Sequence, residues 1–359
     1  MRMIDRRRIV ATIVILGLVG ALAACSIPAG SPSEATNPGV TFTDDAGRRV
    51  DLPARIDRIA PSGPLAQLVL FALCPEKLVG LASEFGGDQQ AYLDPEYTDL
   101  PILGNFYSGT LNLEQVMTQD PQVVVDIGDR KPANSADLDG ITTRTGLPTV
   151  FIQMTFASMA DSLDRLGDLL GADEQADALT GFIGDHLDPI LNELAGLDDD
   201  QRPSVYYGQG DGLTAVVAGS SHDAVIQAAG GRNVAVVDRD GKAGTAAVSL
   251  EQLLIWQPDY LLLTPATLVD EVTASSGWSG LDAVTADRAL AVPVGPYSWL
   301  DSPPSINQIL GVIWLSQVLH PDRVNNDLAD LTTEFYRLFY HYELTATQTA
   351  ALLAATPGW

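Results

Sequence analysis

The chain has 359 residues, 46% of them hydrophobic and 18% charged, which excludes a disordered polypeptide and allows a core for roughly two domains. Lys+Arg total 20 against Asp+Glu 46, a formal net charge of -26. So acidic a chain repels phosphate backbones, which excludes nucleic acid as a partner. Two cysteines exclude a disulfide scaffold and a four-thiolate zinc site.

The N-terminus reads as an export signal. A basic head carries Arg2, Arg6, Arg7 and Arg8, an apolar run extends from Ile9 to Leu22, and the segment closes as Leu22-Ala23-Ala24-Cys25. The run of 14 residues would make about 21 Å of helix, short of a hydrocarbon core of about 30 Å. Basic, apolar, then small is the order of a secretory signal. The closing tetrad resembles the lipobox of bacterial lipoproteins, which implies that Cys25 is lipidated and becomes the first residue. Cys74 is then alone, and reads as a small buried side chain. Ser26 to Gly39, rich in Pro, Gly and Ser, is expected to be a tether.

Beyond the tether, short apolar runs alternate with helical patterns. Strands are expected at Val123–Val125, Thr149–Ile152, Ser204–Tyr207, Ala215–Ala218 and Tyr260–Leu263. Several are continuous rather than alternating, as in parallel sheets covered on both faces, so the class is α/β. One segment occurs twice. Asn112-Leu113-Glu114-Gln115 precedes Pro121 and an apolar strand, and Ser249-Leu250-Glu251-Gln252 precedes Pro258 and another. In each copy the glutamate stands 7 residues before the proline, and the copies lie 137 residues apart. Each reads as a capped helix stopped by proline. Glu114 and Glu251 fall in first turns, where the helix dipole favours negative charge, so completing a helix start is sufficient reason for either one. Their duplication at one place in both halves is not explained that way.

Between the halves, Met159, Leu163, Leu166 and Leu170 recur at helix spacing up to Gly171, and the pattern resumes to Leu194. The 22 residues 173–194 would span about 33 Å as a helix. Pro189 is expected to kink it. Near the C-terminus, Phe335, Tyr336, Phe339, Tyr340 and Tyr342 read as core packing.

Enzyme signatures are lacking. Gly208-Gln209-Gly210-Asp211-Gly212 follows a strand, but Leu213 stands where a third glycine would be needed and another strand-like run follows, so the dinucleotide reading fails. There is no G-x-S-x-G elbow and no phosphate-cradling lysine loop. The four histidines, His186, His222, His320 and His341, show no metal-ligand spacing. No catalytic residue, resident metal or cofactor is expected.

Taken together, the lipobox, the two α/β halves, the bridging helix and the twin Leu-Glu-Gln segments resemble the substrate-binding lipoproteins of ABC importers. The nearest class is that for ferric siderophores, cobalamin and haem, with a helical backbone. Val40–Arg48 is similar to the family's first hairpin, Gly230–Ala235 to a second-lobe signature, and Gly295–Ser305 to a loop of one branch. The resemblance implies two Rossmann-like lobes joined by one long bridging α-helix, with the ligand cleft between them. The expected division is a signal at 1–24, a lipidated tether at 25–39, an N-terminal lobe at 40–157, a bridging segment at 158–197 and a C-terminal lobe at 198–359.

The same resemblance implies roles for particular residues. One surface glutamate per lobe, here Glu114 and Glu251, pairs with arginines of a permease dimer served by its ATPase. The solute is a metal chelate, a ferric siderophore first, with haem, cobalamin or a metal oxyanion as alternatives. The protein would be a monomer on the outer face of the cytoplasmic membrane, in contact with it through the lipid alone. An exported enzyme or a surface sensor with the same anchor is the rival class. Cleft residues are expected at Ser62, Gly63, Asn105, Phe106, Tyr107, Arg130 and Lys131 in the first lobe. The second lobe would add Tyr207, Tyr297, Trp299 and Asp301. Pro61–Leu68 departs from the family in lacking a first-helix glutamate.

Overall fold

The computed structural model describes residues 39–237 and 244–357. Signal, Cys25 and nearly all of the tether lie outside the described residues. An antiparallel hairpin opens the described chain, β1 (Val40–Thr43) against β2 (Arg49–Leu52). Gly47 turns it at φ 82°, a left-handed value that glycine adopts without strain.

The first lobe is built on a parallel sheet in the order β3 (Ile59–Pro61), β4 (Val123–Gly128), β5 (Thr149–Gln153). The second is built on a larger sheet in which β6 (Ser204–Gln209) pairs parallel with β10 (Tyr260–Thr264), and β10 with β11 (Ala289–Ala291). β7 (Thr214–Val216) and β9 (Thr245–Ala247) extend it antiparallel, while β8 (Arg232–Asn233) pairs with the start of β6. Val123 to Val125 and Leu261 to Leu263 are fully buried, which is why these strands read as unbroken apolar runs. The glycine-rich segment after β6 is the β6–β7 hairpin turn, with Gly210 and Gly212 at positive φ.

A helix at Met159–Leu170 ends at Gly171 in the left-handed conformation. Residues 173–194 then run as one helix with a π-helical turn at Ile183–Leu187. The expected kink takes this form: the wider turn lies just before Pro189, whose ring would otherwise strike the carbonyl four residues back. Helices Asn307–Leu319 and Leu328–Phe339 complete the core. The C-terminal aromatics pack as expected, Phe335 stacking on Phe339 at 4.3 Å between centroids. Cys74 is buried in the same core, and burial, then Glu76, pushes its thiol up to about 12. Among the described residues no helix is long and apolar enough to cross a membrane.

Candidate functional site

The duplicated segments fold alike. Helix Leu113–Gln119 is capped by Asn112, whose Oδ1 accepts from the Gln115 amide at 3.1 Å. Helix Leu250–Trp256 is capped by Ser249, whose Oγ accepts from the Gln252 amide at 3.2 Å. Each stops in a left-handed residue that is not glycine, Asp120 at φ 43° and Gln257 at φ 44°. Proline follows, then a strand with a parallel neighbour on each side, β4 or β10. Glu114 and Glu251 are both solvent-exposed in the first turn. Hydrogen bonds from its own amide and from Ser249 hold the Glu251 carboxyl below its usual range. Glu114 neighbours the exposed Leu113 and Met117, and Glu251 stands one turn before the exposed Ile255.

A cavity of about 630 Å³ lies between the lobes. Leu65, Thr155 and Phe156 line it from the first lobe, and Ser220, Ser305 and Gln308 from the second. These residues follow the carboxyl ends of β3, β5 and β7 or lead into a helix, the usual place for a ligand in α/β sheets. A smaller cavity of about 330 Å³ adjoins it on the first lobe, lined by Ser62, Gly63, Tyr107, Asp126 and Lys131 among others.

Among the buried carboxylates, Asp126 of the first lobe and Asp301 of the second line cavities here, and they are held differently. In the first, Asp126 on β4 accepts from Ser62 Oγ and from Tyr107 Oη, both at 2.5 Å. Burial pushes its carboxyl above the usual range, and the two hydroxyls and Lys131 only partly offset that. In the second, Asp301 is 1% exposed. It accepts from Tyr207 Oη at 2.9 Å and Gln209 Nε2 at 2.7 Å, with His222 Nδ1 at 3.2 Å. Burial alone would raise its carboxyl, but His222 and Tyr207 outweigh it and hold the group below the usual range. The two carboxylates are thus displaced in opposite directions, burial winning at Asp126 and hydrogen bonding with the imidazole's charge winning at Asp301.

The predicted cleft residues fall into three groups. Ser62, Gly63, Tyr107 and Lys131 line the smaller first-lobe cavity, and Tyr297 and Asp301 line a neighbouring cavity of about 390 Å³ with Gly86 and Gln89. Asn105 and Arg130 are chain neighbours of these lining residues. Asn105 is half-buried with its Oδ1 accepting the Tyr107 amide at 2.9 Å, and Arg130 is exposed. Gly104, at positive φ where a Cβ would strike the Thr110 carbonyl, shapes that loop. Phe106, Trp299 and Tyr207 are corrections. Phe106 is wholly buried beside Val116, Val124 and Ile141, where the amphipathic loop needs an apolar anchor. Trp299 packs beneath helix Asn307–Leu319, whose Gly311 admits the close approach of its backbone. Tyr207 is an inward residue of β6, offering only its hydroxyl, and that is taken by Asp301.

Sequence reasoning missed Asp126, Gln209, His222, Ser305 and the Thr155–Phe156 wall. Asp126 carried a usable signal, a lone carboxylate inside the apolar run Val123–Ile127. Among the described residues no cluster of three His, Cys, Asp or Glu side chains is arranged to hold a metal ion.

The comparison with known proteins agrees with this architecture. The family model for periplasmic binding proteins matches residues 76–293. The chain belongs to the periplasmic binding protein family. A solved ABC transporter solute-binding protein from Sulfurospirillum deleyianum is 26% identical with a TM-score of 0.80, over 88% of this chain and 99% of that one. A periplasmic solute-binding protein from Veillonella parvula is also 26% identical, with a TM-score of 0.72 over 89% and 99%. Among curated proteins, cobalamin-binding proteins of Halobacterium salinarum are 27% identical over 256 residues, 70% of this chain. The chain spans 63% of the length of these relatives. Family and neighbours are solute-binding proteins rather than enzymes, and a helical-backbone α/β fold is what the family and this chain share.

Proposed function

We propose that the protein is the solute-binding component of an ABC importer, lipid-anchored through Cys25 on the outer face of the cytoplasmic membrane. It captures a metal chelate between its lobes and hands it to a permease dimer driven by an ATPase. The observation that carries this reading is the pair of exposed glutamates on like-capped helix starts, one in each lobe. A two-fold partner with arginine sockets would be met by one anion per lobe, and charge-assisted pairs give such contacts register and orientation more than raw affinity. The solved neighbours, solute-binding proteins themselves, support the same reading.

A ferric siderophore stands first as solute. A cavity of about 630 Å³ open between the lobes suits a bulky chelate, and Arg130 and Lys131 near the first-lobe wall would meet negative charge. Cobalamin is the second reading, favoured by the name of the Halobacterium salinarum relatives. Native mass spectrometry of the purified protein against ferric catecholates, ferric hydroxamates, haem, cobalamin and molybdate decides between them. Retention of a ferric chelate supports the first reading, and retention of cobalamin alone overturns it in favour of the second. For docking, the double variant Glu114→Arg/Glu251→Arg should lose uptake while keeping solute affinity. Uptake at the wild-type rate overturns the assignment.

A further inference from the structure

The two glutamate helices carry more than their carboxylates. Among the described residues seven large hydrophobic side chains are exposed, and three of them, Leu113, Met117 and Ile255, stand on these two helices of seven residues each. Single apolar side chains scattered over a surface are ordinary. Three gathered on so short a length of chain, beside both glutamates, are a concentration that scatter does not give.

Residues three and four apart share a helix face. Leu113 and Met117 therefore flank Glu114 on one face, and Ile255 stands four residues beyond Glu251, on the face that carries its carboxylate. Helix formation does not ask for them, since a polar side chain serves the solvent side of a helix equally well. Nor do the two most exposed, Met117 at 62% and Ile255 at 75%, come with the duplication. At the spacing of 137 residues, Met117 corresponds to Leu254, which is half-buried with its Cδ2 close over Gly280. Ile255 corresponds to Thr118, whose hydroxyl donates to the Glu114 carbonyl at 2.8 Å. Each lobe thus supplies its apolar neighbour at a position of its own, beside the same carboxylate.

Magnitudes say why such neighbours matter. A surface ion pair in water shifts an equilibrium by about fivefold at most, so two of them fall far short of a micromolar complex. Taking an exposed Met or Ile side chain out of water on contact is worth about tenfold or more. An apolar margin also keeps water and salt ions from a carboxylate, which strengthens the pair it forms. Neither Glu114 nor Glu251 has an ion-pair partner among the described residues, so each is available to one from outside.

Resting on the reading of Glu114 and Glu251 as docking residues, we infer that Leu113 and Met117 on one lobe and Ile255 on the other are the apolar half of the same contact. The partner is a permease dimer whose sockets each set an arginine against an apolar wall. Arginine suits both demands, because its methylene stem lies along apolar surface while its guanidinium meets the carboxylate.

The test measures the affinity of purified protein for its permease, reconstituted with the ATPase in lipid nanodiscs. Met117→Ser and Ile255→Ser change exposed positions and should keep the parent's urea midpoint. Each should weaken docking about tenfold, and Met117→Leu and Ile255→Leu should restore it. Val40→Ser, exposed on the opening hairpin, should bind as the parent does. Parental affinity in both serine variants, with loss in Glu114→Gln/Glu251→Gln, overturns the inference and leaves docking through the glutamates standing. Loss in the serine variants, with parental affinity in the glutamine pair, supports the apolar contact and sinks the glutamate reading. Parental affinity in all of them sinks both. Leucine variants as weak as the serine ones, or an equal loss in Val40→Ser, overturn the inference. Serine variants that lose only self-association or binding to phosphatidylglycerol vesicles overturn it in favour of a second copy of the chain or the bilayer.

Discussion

The two lobes agree on their outer helix starts and differ on their cleft walls. Outside, Asn112 and Ser249 cap helices of equal length, Glu114 and Glu251 occupy the same turn, and Asp120 and Gln257 end them with nearly the same backbone angles. Inside, the first lobe holds Asp126 with two hydroxyl donors, and the second holds Asp301 with a hydroxyl, an amide and an imidazole. A two-fold partner would select for likeness, whereas a solute has no such symmetry and leaves the walls free to diverge. The proposed docking and solute roles therefore sort onto surfaces that already differ in kind.

The largest expected effect concerns Asp301. Removing it in Asp301→Ala strands Tyr207, Gln209 and His222, and should cost about 3 kcal/mol in urea unfolding. Asp126→Asn should cost clearly less, because burial already disfavours the charge that the substitution removes. Equal losses at the two positions would break the contrast between the walls.

The outer starts predict the opposite, equality. Asn112→Ala and Ser249→Ala should each destabilise by about 1 kcal/mol, measured by the same unfolding titration. A loss confined to one lobe would show that the duplication is not one of structure.

The smallest effect is in pH dependence, and its sign differs between lobes. Asp301 has a depressed folded value, so its contribution is present above the ordinary carboxylate value of 3.8 and is lost as pH falls through the folded one. Asp126 has a raised folded value, so the native state binds its proton more tightly and stability from that group grows as pH falls through the window above 3.8. Stability profiles of the Asp126→Asn and Asp301→Asn variants should therefore bend in opposite directions relative to the parent. A common direction would contradict the assignment.

Much of this architecture is legible in the amino-acid order alone. The strands announce themselves as apolar runs because helices cover both faces of each parallel sheet, and Asn112 and Ser249 announce helix starts because few side chains satisfy a free amide so locally. The walls are harder to read. Phe106, Trp299 and Tyr207 occupy loop and strand-end positions where a residue points either to cleft or to core, and which one depends on packing from distant segments such as Gly311. His222 and Gln209 reach Asp301 from 79 and 92 residues away, and no local spacing encodes that meeting. Ser305 stands inside the family-like loop, yet only its burial without a partner marks it out.

Docking rests on one glutamate of each lobe meeting a two-fold permease. The decisive quantity is the affinity of the purified protein for its reconstituted permease, taken for Glu114→Gln, Glu251→Gln and the double variant. Comparable losses in both single variants, compounding in the double one, are expected. Wild-type affinity in the double variant, or a loss carried wholly by one glutamate, would refute paired docking.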